Sequence, residues 1–414
     1  TATSAVCVTG LVPVDVSTTF TTGGLVVIIL LIQVGGLGVM TLTSFFAMFF
    51  MGNTSLYNQL VVRDMVSSNS LGSLLSTLLY ILGFTLVIEG IGMISIWFSI
   101  HGTLGMTLEG ELAFAAFHSI SAFCNAGFDI LGANSLMNYV GDLWVNLVIC
   151  GLIIAGGLGF VVWIDLRLSL IHYREHFKYF KLKKYLESLS LHTKIVLISS
   201  FVLIFGGMAV IFCLEFNNPQ TLQPLSLPQK ILASFFQSVT LRTAGFATID
   251  MASLHQSTKF FMSVVMFIGG SPAGTAGGVK TVTIVIALLY VRALMRGDDN
   301  IHVFKRTIDD QIVKRALTIL IVSFTITVVG LFVLSVSENA EFIDLVFEVF
   351  SAFATVGLTT GPTPNLTVVG KVIIIIMMYI GRIGPITMVL LFVKKYNSRK
   401  GKDVNFVKEH ILIG

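Results

Sequence analysis

A short sequence pattern occurs four times in this chain of 414 residues, and every copy ends at a glycine. The glycines are spaced 117, 118 and 112 residues apart, so the repeat covers almost the whole chain. The copies are Ser4–Gly10, Ser121–Gly127, Ser238–Gly245 and Ser351–Gly357, and in the third copy the serine lies one residue further from the glycine. Repetition on this scale predicts one structural unit used four times.

Seven apolar stretches surround these patterns, and each is long enough to cross a bilayer, which takes about 20 helical residues. They lie near 23–50, 71–100, 143–166, 194–216, 259–292, 315–337 and 370–393. Hydrophobic residues make up 55% of the chain and charged residues only 12%, whereas a soluble domain carries about 25% charged residues. The composition therefore excludes a soluble globular class and predicts an all-α integral membrane protein.

Basic residues are distributed unevenly among the connections between these stretches. Most of the 26 Lys and Arg residues lie in alternate connections, chiefly 167–194, 292–315 and the tail after 393. Because cytoplasmic loops are enriched in Lys and Arg, we expect the C-terminus in the cytoplasm and Thr1 outside.

Three copies of the pattern follow an apolar segment that is too short to span the membrane, namely Leu112–Phe123, Lys230–Thr240 and Phe342–Phe353. About 12 helical residues cover about 18 Å, against ~30 Å of hydrocarbon. Each segment is therefore predicted to be a re-entrant half-helix, which gives a unit of helix, pore loop and helix. Two full crossings per unit return the chain to one side, so four parallel units can surround a central pore.

The predicted repeats divide the whole chain. The first covers 1–70, and we expect its outer helix and half-helix to precede Thr1, so that this repeat is truncated at its N-terminus. The others cover 71–193, 194–313 with a gating loop, and 314–414 with a cytoplasmic tail.

Four half-helices of this kind would point their C-terminal ends, each with about half a negative charge, at the pore. The following loops could present backbone carbonyls to a dehydrated cation, and glycine adds no bulk there. The candidate filter residues are Val8, Thr9, Gly10, Asn125, Ala126, Gly127, Thr243, Ala244, Gly245, Thr355, Val356 and Gly357. Simple turn formation is the alternative interpretation of the glycines.

Three aspartates follow the pore loops closely: Asp15, Asp129 and Asp250. Carboxylates at the mouth of a pore would concentrate cations there. Solvated loop charges explain these residues equally well.

The third inner stretch, 259–292, is longer than one crossing requires and contains five glycines and a proline between 268 and 280. Such a run cannot hold a continuous helix, so we expect a broken helix with a gating loop. Arg382 lies in an apolar stretch, where a charge costs about 2.5–3.5 kcal/mol, and is expected to face the pore or this loop. The candidate gate residues are Gly269, Gly270, Ser271, Pro272, Ala273, Gly274, Thr275, Ala276, Gly277, Gly278, Lys280 and Arg382. Close helix packing and a phosphate-binding loop are the alternatives.

The filter pairs, the Gly-rich third inner stretch and Arg382 together resemble the Trk/Ktr/HKT superfamily of potassium transporters. The filter pairs are Thr9-Gly10, Ala126-Gly127, Ala244-Gly245 and Val356-Gly357. Because the sequence has no long soluble insert, it most resembles, within this superfamily, the KtrB membrane subunits of bacterial Ktr systems. In that superfamily, glycine at all four filter positions goes with selectivity for potassium.

This resemblance implies potassium uptake across the bacterial cytoplasmic membrane, with K⁺ bound by backbone carbonyls of the filter and Na⁺ as a candidate activator. It implies no organic cofactor on this chain and no nucleic-acid partner. It also implies a homodimer, surrounded by membrane lipid, on a cytosolic ring of regulatory subunits that bind ATP or ADP. We expect the apolar residues 411–413, which follow a basic stretch, to pack at the dimer interface.

Two other function classes compete with a pore. A cation-coupled secondary transporter with alternating access would favour inverted repeats, which four parallel units do not provide. An intramembrane enzyme would need paired membrane aspartates, a Ser–His pair or a zinc motif, and the sequence offers none of them, so we do not expect an enzyme.

Overall fold

The computed structural model describes residues 1–38, 74–103, 105–132, 135–176, 182–298, 300–304 and 306–384. The helices in these ranges are α1 (Ala2–Cys7), α2 (Val16–Thr19), α3 (Thr22–Leu37), α4 (Leu74–Ile100), α5 (Leu108–Phe123), α6 (Leu143–Gly157), α7 (Phe160–His176), α8 (Leu182–Ser188), α9 (Leu191–Glu215), α10 (Leu227–Thr240), α11 (Gln256–Phe267), α12 (Thr281–Arg296), α13 (Asp310–Ser337), α14 (Phe342–Ala354) and α15 (Val368–Ile383). Short 3-10 turns cover Met137–Tyr139 and Thr363–Asn365. Strands β1 (His302–Val303) and β2 (Arg306–Thr307) form an antiparallel hairpin between α12 and α13.

Three long helices, α4, α9 and α13, are apolar enough to cross a membrane unaided. They are the outer helices of the second, third and fourth repeats. Large apolar side chains such as Val87, Phe201 and Val336 are more than half exposed on their surfaces. In a membrane protein such faces contact lipid rather than water.

The half-helices α5, α10 and α14 lie at the predicted positions, but two begin earlier than predicted. Thr107 accepts a hydrogen bond from the backbone N–H of Gly110, and Ser226 forms a capping box with Gln229. These polar N-cap residues extend the helices beyond the apolar run that the prediction followed. The short helix α1 holds the corresponding position before Gly10, which corrects the expectation that the half-helix of the first repeat precedes Thr1.

The second inner stretch is interrupted, and this corrects the prediction of one continuous helix over 143–166. That segment is two helices, α6 and α7, bent by 91°. The bend lies at Gly159, whose φ is +87°, a backbone conformation that favours glycine. Helices α3 and α15 likewise end at Gly38 (φ +87°) and Gly384 (φ +94°), and the remainder of stretches 23–50 and 370–393 lies outside the described residues.

Small residues let the inner helices pack directly on the backbone of the half-helices. A Cβ atom built on Gly35, Gly156 or Gly381 would collide with a carbonyl oxygen at the end of a half-helix. The carbonyls belong to Val6, Phe123 and Phe353, respectively. Each of these carbonyls lies four residues before its loop glycine, so the same contact occurs in three repeats and fixes the pore loops against the inner helices.

We expect Gly156→Ala to lower the thermal stability of the purified protein, because the added methyl group meets the Phe123 carbonyl. Gly151→Ala is the matched control on the same helix, since no atom lies within 4 Å of the added methyl group. Alanine favours a helix over glycine by up to about 1 kcal/mol, so the control should melt at the same or a higher temperature. Fluorescence-detected melting in detergent measures both variants, and equal melting temperatures would contradict this packing.

Candidate functional site

The four candidate filter triplets share one backbone conformation. In each triplet the first residue and the glycine have positive φ, and the middle residue does not. The φ values are 56° and 94° for Val8 and Gly10, 58° and 66° for Asn125 and Gly127, 71° and 83° for Thr243 and Gly245, and 54° and 95° for Thr355 and Gly357. A non-glycine residue with positive φ is uncommon, so its occurrence at the same place in four loops indicates a shared structural demand.

The four glycines form a closed ring. A Cβ atom built on Gly10 would lie 2.7 Å from the Ala126 carbonyl oxygen, and one built on Gly127 would lie 2.6 Å from that of Ala244. In the same way, Gly245 faces the Val356 carbonyl, and Gly357 faces the Thr9 carbonyl, which completes the circle. Each loop therefore packs backbone to backbone on the next, and no side chain fits at any of the glycines.

Backbone oxygens from all four repeats thus lie around this ring, at Thr9, Ala126, Ala244 and Val356. A ring of carbonyl oxygens can replace the water shell of a monovalent cation without a buried carboxylate. The half-helices that precede the loops add the negative ends of their dipoles. The arrangement is chemically suited to binding a dehydrated cation.

A serine supports the pore loop in the first, second and fourth copies, a role that sequence reasoning missed. In the second copy the Ser121 hydroxyl donates to the Phe128 carbonyl at 2.7 Å. The Ser4 and Ser351 hydroxyls accept hydrogen bonds from the backbone N–H groups of Gly10 and Gly357, at 3.0 and 3.1 Å. In the third copy, Ser238 instead donates to the Ile204 carbonyl on α9, at 2.6 Å. The one-residue displacement seen in the sequence therefore exchanges a contact with the loop for a contact with the outer helix. The repeated serine was the signal for this role.

A cavity of about 490 Å³ lies outside the ring and is bounded by all four glycines. We call it the outer vestibule. Asp15, Asp129 and Asp250 all line it, so the three aspartates singled out in the sequence face one space. Burial raises the pKa of the Asp129 carboxyl to about 6, which means that acidification removes part of the negative charge of the vestibule.

The Gly-rich segment 268–280 is a loop between α11 and α12 that packs against the pore loops. A Cβ atom on Gly277 would collide with the Thr355 side chain. The segment also bonds to the break between α6 and α7. The Ser271 N–H donates to the Gly157 carbonyl at 3.0 Å, and the Phe160 N–H donates to the Ala273 carbonyl at 2.9 Å. The breaks in two inner helices therefore satisfy each other's backbone groups.

Both basic residues in this region bind carbonyls at helix breaks. The Arg382 guanidinium donates to the Thr275 carbonyl in the Gly-rich segment and to the Gly35 carbonyl on α3. The Lys280 ammonium donates to the Ala276 carbonyl at 2.6 Å. Together these two side chains line a second cavity of about 180 Å³, next to the Gly-rich segment. Arg382 thus links elements of the first, third and fourth repeats.

A buried carboxylate behind the second pore loop was not anticipated. Glu89 on α4 accepts a hydrogen bond from the Gln33 amide at 3.2 Å, and the Cys124 thiol lies 3.7 Å from it. The sequence feature that could have indicated it is the single acidic residue in the apolar stretch 71–100. A charged side chain within a membrane is costly and often has a function.

Residues 1–403 match the TrkH family of cation transport proteins. The chain is 41% identical to the Ktr system potassium uptake protein B of Bacillus subtilis over 96% of this chain and 86% of that protein. It is 37% identical to the potassium/sodium uptake protein NtpJ of Enterococcus hirae over 100% of this chain and 88% of that protein.

A solved structure, the potassium transporter TrkH of Vibrio parahaemolyticus, has the same fold, with a TM-score of 0.72 at 18% identity. It aligns over 94% of this chain and 76% of that one. The four-repeat pore-loop arrangement fits that fold. The family match covers nearly all of the sequence and places the protein among cation transporters rather than enzymes. The chain belongs to the TrkH family of cation transport proteins.

Proposed function

We propose that this protein takes up potassium ions through the ring formed by its four pore loops. The observation that carries the proposal is the closed circle of backbone contacts at Gly10, Gly127, Gly245 and Gly357. Two relatives named for potassium uptake, at 41% and 37% identity, support the choice of ion.

In this proposal the twelve filter residues bind K⁺ through their backbone carbonyls. Aspartates in the outer vestibule raise the local cation concentration, and the half-helix dipoles compensate the loss of hydration. A single ring shared by parallel repeats favours continuous permeation over an alternating-access cycle between two inverted halves. Sodium, which the name of the E. hirae relative includes, is proposed as an activator and not as the main cargo.

Gly10→Ser and Gly245→Ser should each lower the selectivity for Rb⁺, a potassium analogue, over Na⁺ by at least about tenfold, or ~1.4 kcal/mol. A serine side chain at either position must displace a carbonyl of the neighbouring loop. Uptake of both ions into proteoliposomes measures the ratio. Gly83→Ser is the control, because Gly83 has no atom within 4 Å of an added Cβ. Unchanged selectivity in both filter variants would remove the filter assignment.

We also propose that the segment Gly269–Gly278, with Lys280 and Arg382, is the gate. Support comes from its contact with Thr355, from its hydrogen bonds to the α6–α7 break and from its contact with Arg382. A loop held by a few backbone hydrogen bonds and one guanidinium can be released at moderate cost.

Arg382→Ala, and separately a shortening of 270–278, should raise the initial Rb⁺ flux several-fold, because each weakens the closed arrangement of the loop. Lys371→Ala removes a charge from the same helix far from the loop and should leave the flux unchanged. Rapid uptake in proteoliposomes with matched protein content measures this. The gate assignment fails if both variants conduct like the unmodified protein.

The remaining proposals concern location and partners. We propose a bacterial cytoplasmic membrane, a cytoplasmic C-terminus, a homodimer and a cytosolic ring of subunits that bind ATP or ADP. The B. subtilis relative is named as protein B of a Ktr system, and such a name implies further subunits. This similarity supports an assembly of this kind. The tail 407–414, which we expected at the dimer interface, lies outside the described residues.

Gentle purification from native membranes should recover a dimer together with a nucleotide-binding protein, and Rb⁺ flux through that complex should change between ATP and ADP. Native mass spectrometry and flux assays measure the two properties. A monomer whose flux ignores both nucleotides would contradict the assembly while leaving the pore intact.

A further inference from the structure

The segments that follow the pore loops are held by local turns, and the fourth differs from the others. In the first three, an aspartate accepts a hydrogen bond from the backbone N–H two residues later. The pairs are Asp15 with Ser17 at 2.8 Å, Asp129 with Leu131 at 3.2 Å and Asp250 with Ala252 at 3.0 Å. Residues 358–366 after the fourth loop contain no acidic residue.

Thr359 makes the equivalent turn in the fourth repeat. It lies two residues after Gly357, as Asp129 lies two residues after Gly127, and its hydroxyl accepts from the Gly361 N–H at 3.0 Å. The Thr359 hydroxyl lies 3.0 Å from the Thr363 hydroxyl. Both Thr359 and Thr360 line the outer vestibule, so this turn forms part of the vestibule wall.

A carboxylate from the half-helix completes the chain of hydrogen bonds. The Thr363 hydroxyl bonds to the carboxylate of Glu348, a side chain with 0% exposure on α14. Because a threonine hydroxyl carries one hydrogen, Thr363 donates to Glu348 and accepts from Thr359. The carboxylate therefore orients both hydroxyls, and Thr359 is left with a lone pair for the Gly361 N–H.

The same helical register in the other half-helices shows that this contact is specific to the fourth repeat. His118 on α5 bonds to the Phe114 carbonyl of its own helix, at 2.9 Å. At the same distance of nine residues before its loop glycine, α10 has Phe236, a buried apolar residue. Among these three side chains, and within the described residues, Glu348 is the one that bonds to the segment after its pore loop. Burying a carboxyl group is costly unless it is hydrogen-bonded, which favours a role that needs it there.

We propose that Glu348 is a positioning residue of the outer vestibule. Through Thr363 it fixes Thr359, and with it the vestibule wall of the repeat that lacks an aspartate. The inference rests on the proposed function, because it makes Glu348 a determinant of how the pore takes up cations from outside.

Thr363→Val and Glu348→Leu should each raise the apparent KM for Rb⁺ uptake about three- to tenfold, which is the effect expected when one hydrogen bond is lost. The maximal rate should change little, because the glycine ring is untouched. The double variant should be no worse than either single variant, since both break one chain of contacts. Glu348→Gln keeps an oxygen that accepts from Thr363 and should stay within twofold of the unmodified protein.

Thr325→Val is the matched control, because the Thr325 hydroxyl is exposed and, among the described residues, bonds within its own helix to the Ile321 carbonyl. An unchanged KM in Thr363→Val would overturn the inference, and so would effects that multiply in the double variant. If the Glu348 variants do not fold, Thr363→Val decides alone. An unmodified protein that takes up no Rb⁺ would instead contradict the proposed function itself.

Discussion

The close approach of four backbones around one axis is the constraint on which the rest of the structure depends. At Gly10, Gly127, Gly245 and Gly357 the space that a Cβ atom would occupy holds a carbonyl of the adjacent loop. Half-helices bring the loops to this depth, and serines hold two of the glycines by their N–H groups. Glycines on the inner helices then allow those helices to pack on the half-helix ends. Glycine is required at these positions because a side chain would displace the backbone of a neighbouring element.

Breaks in the inner helices follow from the same geometry. Backbone that leaves a helix within the membrane must find hydrogen-bond partners in the protein. The α6–α7 break and the segment 268–280 supply partners to each other, and Arg382 binds one carbonyl of that segment and one carbonyl of α3. A partly buried guanidinium is tolerable here because it donates to carbonyls at the ends and breaks of helices, which are good acceptors. The same few hydrogen bonds therefore stabilise the closed loop and, in the proposed gate, are the ones that must break when it opens.

Sequence periodicity was sufficient to predict the half-helices, the glycine positions and the break in the third inner stretch, because these depend on local composition that repeats. It did not predict the break at Gly159, since the run 143–166 is mostly apolar, is long enough for one crossing and contains no proline. Nor did it predict the contact between Glu348 and Thr363 or the cluster around Glu89. Those depend on which backbones meet in space, and neither hydrophobic spacing nor helix propensity carries that information.

The most direct test of the account is to locate the ion in the protein. Anomalous diffraction from crystals grown in Rb⁺ should show a peak on the axis of the four loops, within coordination distance of the carbonyls of Thr9, Ala126, Ala244 and Val356. In crystals grown in Na⁺ instead of Rb⁺, we expect no ion bound at that position. A Rb⁺ peak found only away from the ring, for example beside Glu89, would contradict the central claim that backbone oxygens of the four repeats select the ion.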